Sequence, residues 1–84
     1  MTMKFITEYI EKKLNESRDY VRYTFYELRV KCNLSADDTE EFLDVNKDYF
    51  ENKGYKVFFT GDEYTYKNEI RKVSDNELMI AIKE

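Results

Sequence analysis

The chain has 84 residues, a formal net charge of −4, 38% charged and 17% aromatic residues, a single cysteine and no histidine. That length suits one domain, residues 1–84, with a single core burying roughly 60–65% of the unfolded surface, and the aromatic content beside so much charge excludes a disordered chain. Cys32, alone and without histidine, excludes an intrachain disulfide and a tetrahedral Cys/His zinc site.

Phe5, Ile6, Tyr9, Ile10 and Leu14 form one helical stripe with Lys4, Glu8, Glu11 and Lys12 off it, which predicts a first helix from about Met3 to Glu16. Its mixed charge is unlike a signal peptide, and no apolar run approaches the ~20 residues of a bilayer span. The expectation is a cytoplasmic protein with no membrane partner. A polar connector, Asn15 to Asp19, follows.

Tyr20 to Tyr23 is ambiguous: Val21, Phe25, Leu28 and Cys32 have helical spacing, yet DYVRY is aromatic and β-branched enough for a short strand. Thr24 and Glu27 match a capping box, in which each side chain bonds the other residue's N–H, and this favours a second helix beginning near Phe25. Cys32, on the apolar side of that helix, reads as a small core residue rather than a reactive thiol. Ser35 with Asp38 repeats the capping signal more loosely, and Asp37, Asp38, Glu40 and Glu41 put negative charge where a helix dipole favours it. A third helix should therefore run from about Ala36 to a stop at Gly54, with Phe42, Val45 and Tyr49 on its inner face.

A strand follows over Tyr55–Thr60, then a Gly61-Asp62 turn and an alternating Tyr64–Lys67 segment. Asn68 to Asn76 would be a wing or an extended return, and Glu77 to Lys83 a closing strand. The expected fold class is α+β and winged-helix-like: three helices followed by a small antiparallel sheet, with the wing between Tyr64 and Asn76. Phe58 and Phe59 are adjacent, and Leu78 to Ile82 is apolar at every position, so both faces of the sheet need cover. Val57, Phe59, Leu78, Ile80 and Ile82 are expected against helices 2 and 3. Phe58, Met79 and Ala81 are expected on a face covered by helix 1, by a second copy in a homodimer, or by a partner.

The stretches YELRVKCNLS, FENKGYKVFFTGDEYTY and NELMIAIKE resemble the short, Lys- and Tyr-rich proteins of Gram-positive phages and prophages, a likeness running from about Tyr23 to the end and leaving helix 1 outside. The resemblance implies a small protein that binds a host or phage protein, or a small regulator at DNA. It transfers no functional residue.

The chemistry of the residues narrows this further. There is no histidine for general-base work and no glycine-rich phosphate loop. The acids at the third helix's start lack ligands converging from other turns, and the helix dipole accounts for them better than a metal does. No enzyme, metal or cofactor is expected. A winged helix usually lays its third helix in the major groove of DNA, where lysine and arginine meet the phosphates. Here Ser35 to Gly54 carries seven acids against Lys47 and Lys53, a net of −5, so docking of that helix on DNA would be repelled. The leading expectation is a non-enzymatic interaction or regulatory module whose acidic helix face (Asp37, Glu41, Asp44, Asp48, Glu51) and second sheet face (Phe58, Met79) meet a protein partner, itself basic or nucleic-acid-binding. The alternative is a DNA-binding regulator using the wing and second helix. Arg18, Arg22, Arg29 and Lys31 come from the second helix and its approach and Lys67, Arg71 and Lys72 from the wing, with Tyr64 and Tyr66 to stack on bases, and Arg29, Lys67, Arg71 and Lys72 are the contacts expected.

Overall fold

The computed structural model describes residues Met1–Glu84. In chain order these are α1 (Met3–Glu16), β1 (Tyr20–Thr24), a π-helix (Tyr26–Lys31), α2 (Ala36–Asn52), β2 (Tyr55–Phe59), β3 (Glu63–Tyr66), β4 (Glu69–Lys72) and β5 (Glu77–Lys83). The protein is mixed α+β, with three helices and antiparallel sheets. No helix is long and apolar enough to cross a membrane.

Local signals set most boundaries. The Thr2 hydroxyl accepts the Phe5 N–H at 3.2 Å and opens α1, which buries Ile6 and Ile10. The Ser35 hydroxyl accepts the Asp38 N–H at 3.0 Å and opens α2. Past its end, Gly54 takes φ +88°, a left-handed turn that costs glycine little, and the chain enters β2 directly. The hairpin turn between β3 and β4 is Lys67-Asn68 with φ of 50° and 67°, two positive values as a two-residue turn with the twist of the flanking strands requires.

The three helices are not consecutive, as their spacing in the sequence suggests, because β1 intervenes between the first two. Along β1 the side chains alternate, Val21 and Tyr23 buried and Arg22 exposed, the period of a strand against one core. The helical spacing of Val21 with Phe25, Leu28 and Cys32 belongs to no continuous element. Thr24 does cap the second helix, its hydroxyl accepting the Glu27 N–H at 3.1 Å, but Glu27 does not return to the cap and instead binds Tyr9 and Lys13. That helix is wound as a π-helix, with the Cys32 N–H bonded to the Glu27 carbonyl at 2.9 Å. Its wider turn keeps Leu28 inside and leaves Phe25, Tyr26 and Val30 about half exposed, so Phe25 does not join the core.

β5 is the middle strand of a three-stranded sheet in the order β1-β5-β2, while β3 and β4 form a separate ribbon. The registers Val57↔Ala81 and Phe59↔Met79 put these four side chains on one face, together with Val21 and Tyr23. Met79 and Ala81 thus lie under the helices with Ile6, Ile10, Leu28, Phe42 and Phe50, and Ile80 and Ile82 point the other way, the reverse of the expected phase. Leu78 stays on the helical side because the β1–β5 register slips between Tyr23 and Thr24, an irregularity of the bulge type.

The second sheet face needs neither α1 nor a second copy. It is covered by the β3–β4 hairpin, which folds back so that Tyr64 and Val73 bury Ile80, with Tyr20, Phe58, Tyr66 and Ile82 packed around them. Phe58 stacks on Tyr64 with ring centroids 5.4 Å apart. α1 lies on the opposite, helical side.

One polar pair is sealed inside the helical core. The Tyr23 hydroxyl donates to Asn46 Oδ1 at 2.7 Å, and Asn46 Nδ2 donates to the Phe42 carbonyl at 2.8 Å, with both side chains fully buried. Removing either partner leaves a buried polar group unsatisfied. We expect Asn46→Ala to lower the unfolding free energy by about 2–3 kcal/mol and Tyr23→Phe by about 1–2 kcal/mol in urea titrations, with the double variant Tyr23→Phe/Asn46→Ala losing less than the two singles summed. Additive losses would show that the bond does not couple the two elements.

Candidate functional site

Two surfaces of opposite charge stand on opposite sides of the sheet. The first is the outer face of α2. Asp37, Glu41, Asp44, Asp48 and Glu51 are spaced four, three, four and three residues apart, so successive turns raise them into one stripe about 20 Å long. All five are exposed, opposite the buried Thr39, Phe42, Asn46 and Phe50. Only one ion pair tempers the stripe, Lys47 to Glu51 at 2.8 Å. No three carboxylate or cysteine side chains converge to hold a metal ion.

Of the two sheet residues expected to dock a partner, Met79 has no surface to offer, being fully buried under the helices. Phe58 is half-buried beneath Tyr64. Phe58 does lie on the second sheet face, but the hairpin covers it; Met79 does not, because β5 alternates in the opposite phase to that expected. The exposed large apolar side chains lie elsewhere, at Met1 and Met3 by the start of α1, at Phe25 and at Tyr26 and Val30 of the π-helix that follows it, and at Ile70 on the hairpin.

The four basic residues separate into two groups. Arg29 is half-buried and engaged, its Nε donating to the Leu34 carbonyl at 3.0 Å and its guanidinium lying over Phe25. Lys67, Arg71 and Lys72 are on the hairpin, exposed. Arg71 and Lys72 face Arg22 of β1 across an open cleft of about 750 Å3, floored by Tyr20, Tyr64 and Tyr66. The Tyr20 and Tyr64 hydroxyls lie 3.0 Å apart, and the Tyr20 and Tyr66 rings are 4.9 Å apart. The only carboxylate in the cleft wall, Glu77, meets Arg22 at 2.6 Å and accepts the Ser74 N–H at 3.0 Å. Burial pushes the Glu77 carboxyl up, but the Ser74 donors and Arg22 together hold it below the usual carboxylate range. It is therefore an anion already neutralised by its own surroundings.

Tyr66 also borders a second groove, of about 360 Å3, with Lys56, Lys67 and Lys83 at its rim and Phe58 and Ile82 in its wall. Lys67 and Arg71 both lie over the Tyr66 ring, at 5.4 and 5.6 Å from its centre. The sequence pointed to Arg22, Lys67, Arg71, Lys72, Tyr64 and Tyr66, but missed Tyr20, Lys56 and Lys83. The missing signal was the pairing of β1 and β2 with β5, which brings those residues to the hairpin side.

A third polar group ties α1 to the π-helix. Lys13 Nζ approaches Glu27 Oε2 at 2.7 Å and donates to the Arg22 carbonyl at 2.9 Å, while the Tyr9 hydroxyl donates to the same Glu27 oxygen. These contacts are internal and structural.

Comparison with protein-family models, with curated proteins and with solved structures finds no match to this chain.

Burial raises the pKa of Tyr9, Tyr20 and Tyr23 far above the ordinary tyrosine value, helped respectively by the bond to Glu27, the bond to Tyr64 and the charge of Glu27. A tyrosine is charged only after losing its proton, so the unfolded chain releases these protons first. The stability they contribute is complete below about pH 10 and falls as pH rises above it. In an alkaline titration, part of the phenolate absorbance of the eight tyrosines should appear only as the folded circular-dichroism signal disappears. Complete ionisation with the fold intact would contradict the burial.

Proposed function

We propose that this chain is a non-enzymatic, winged-helix-like interaction module of phage or prophage type, which docks a basic protein partner through the acidic face of α2. The architectural part rests on chain order: helix, strand, two helices, strand, hairpin, strand, with the last strand seated between the first two. The hairpin stands where a wing would, although it lies back on the sheet instead of projecting.

The observation that carries the functional part is the acidic stripe. Five exposed carboxylates on one helix face, opposed by a single lysine, set up a field that attracts a cationic surface and repels nucleic acid. Spacing along the helix of about one carboxylate per 5 Å turn is comparable to that of phosphates along a nucleic-acid strand, which suits a partner whose own ligand is nucleic acid. Exposed Phe25, Tyr26 and Val30 on the neighbouring π-helix add apolar area of the kind that interfaces bury. The reading in which the second helix and the wing grip duplex DNA together has less support, because Arg29 is held by the Leu34 carbonyl.

The test is affinity capture from a Gram-positive host extract on the tethered chain, compared across two reversals. Asp44→Lys with Asp48→Lys should weaken the retained partner at least about tenfold and flatten the salt dependence of its elution, whereas Arg71→Glu with Lys72→Glu should leave it in place. A partner held equally well after the helix reversal would overturn the assignment.

A further inference from the structure

Cations distant in sequence converge on the hairpin side of the sheet. Arg22 from β1, Lys56 from β2, Lys67, Arg71 and Lys72 from the hairpin, and Lys83 from β5 border two grooves that meet at Tyr66. Against these six stand Glu77 and Glu84 in the groove walls and Glu69 beside them, already paired with Arg22, Lys56 and Arg71 respectively, and the exposed, unpaired Glu63 opposite Lys72 in the hairpin, so six cations face four carboxylates. Lys83 is partly engaged as well, donating to the Lys53 carbonyl. Lys67 and Lys72 make no ion pair, so this face is positive on a chain whose total is −4.

Aromatic rings accompany the cations. Tyr20 and Tyr66 are half-buried, with rings 4.9 Å apart, and Tyr66 is the wall common to both grooves. The bond between the Tyr20 and Tyr64 hydroxyls uses one hydrogen of the two, leaving a second O–H and free lone pairs for a ligand. Cations along a groove with a ring between them match a chain of phosphates whose bases are free to stack. A duplex keeps its bases stacked inside and cannot offer one to Tyr66.

We propose that these two grooves form a single track for single-stranded nucleic acid, with one base on Tyr66 and phosphates on either side, at Arg22, Arg71 and Lys72 and at Lys56, Lys67 and Lys83. The inference is independent of the docking role of α2, since the acidic stripe points away from the sheet and the track lies beyond it. The molecule measures 36 × 25 × 20 Å, so the two faces are separated by more than the screening length of about 8 Å at physiological salt. The net negative charge therefore does not prevent the track from attracting phosphates.

The test uses short oligo(dT) and oligo(U) strands and a mixed-sequence duplex of the same length, titrated into the full chain at about 20 mM and about 150 mM salt. The chain has no tryptophan, so quenching of tyrosine emission reports base contact directly. Both single strands, or one of them, should bind and quench, and the preferred strand identifies DNA or RNA as the source. Lys67→Glu with Lys72→Glu, both at exposed positions, should weaken binding at least about tenfold and reduce the salt slope by about 1.4, the value for two lost phosphate contacts on a single strand. Tyr66→Leu should remove most of the quenching, and Asp44→Lys with Asp48→Lys should leave the single-strand affinity at about 150 mM salt within about twofold. Failure of both single strands to bind at low salt, equal affinity for the duplex, or binding undiminished by the lysine reversals would each overturn the proposal. None of these results depends on the protein partner of α2.

Discussion

The structure depends on the burial of one hydroxyl. Tyr23 lies in the sheet under the helices, with its ring edge-on to Phe42 at 5.1 Å and with no access to water. A hydroxyl in that position must find an acceptor inside the protein, because leaving it unpaired costs about 1–3 kcal/mol. Asn46 is the acceptor, and its own amide is satisfied by the Phe42 carbonyl one turn back. Apolar packing alone would allow α2 to slide or rotate on the sheet; this pair fixes its position against β1. No buried side-chain nitrogen or oxygen is left without a partner. With the rotation of α2 fixed, its acids form the outward stripe.

The second constraint is the doubly apolar β5. A strand with large side chains on both faces must be covered on both, and a chain of 84 residues has little material to spare. The helices cover one face. The chain covers the other with its own hairpin, whose Tyr64 and Val73 pack on Ile80. That solution gives the hairpin two roles at once. Its inner side completes a small second core, and its flanks, meeting β1 on one side and β2 on the other, enclose the tyrosine-lined grooves.

Charge follows the same division. The sheet separates an acidic helix from a set of arginines and lysines gathered from different strands, and the carboxylates in the walls of the basic grooves, Glu77 and Glu84, are each paired to a neighbour. In the two roles proposed above, the acidic side would hold a basic protein and the basic side a phosphate chain. Such an arrangement would place a nucleic-acid strand beside a protein that itself recognises nucleic acid, with this small module between them.

Much of this was legible in the residues, and the legible features share a cause. Caps, glycine stops and helical periodicity act over three or four neighbours, so Ser35 and Gly54 marked their boundaries and the spacing of Asp37, Glu41, Asp44, Asp48 and Glu51 already implied one face. The need to cover both faces of β5 was also evident from Leu78 to Ile82 alone. What only the tertiary structure decided involves residues far apart: that Tyr20 to Thr24 pairs with β5, that Met79 rather than Ile80 faces the helices, and that the hairpin folds back as the missing cover. A strand with apolar residues at every position contains no phase, since either alternation buries as much, and its orientation is settled by its neighbours' registers. The aromatic and basic cleft belongs to the same class. Tyr20 and Tyr64 are separated by 44 residues and meet only because β1 and the hairpin flank one strand, so the sequence determined the charges and rings of this protein, and the folding of distant strands onto β5 decided which of them share a surface.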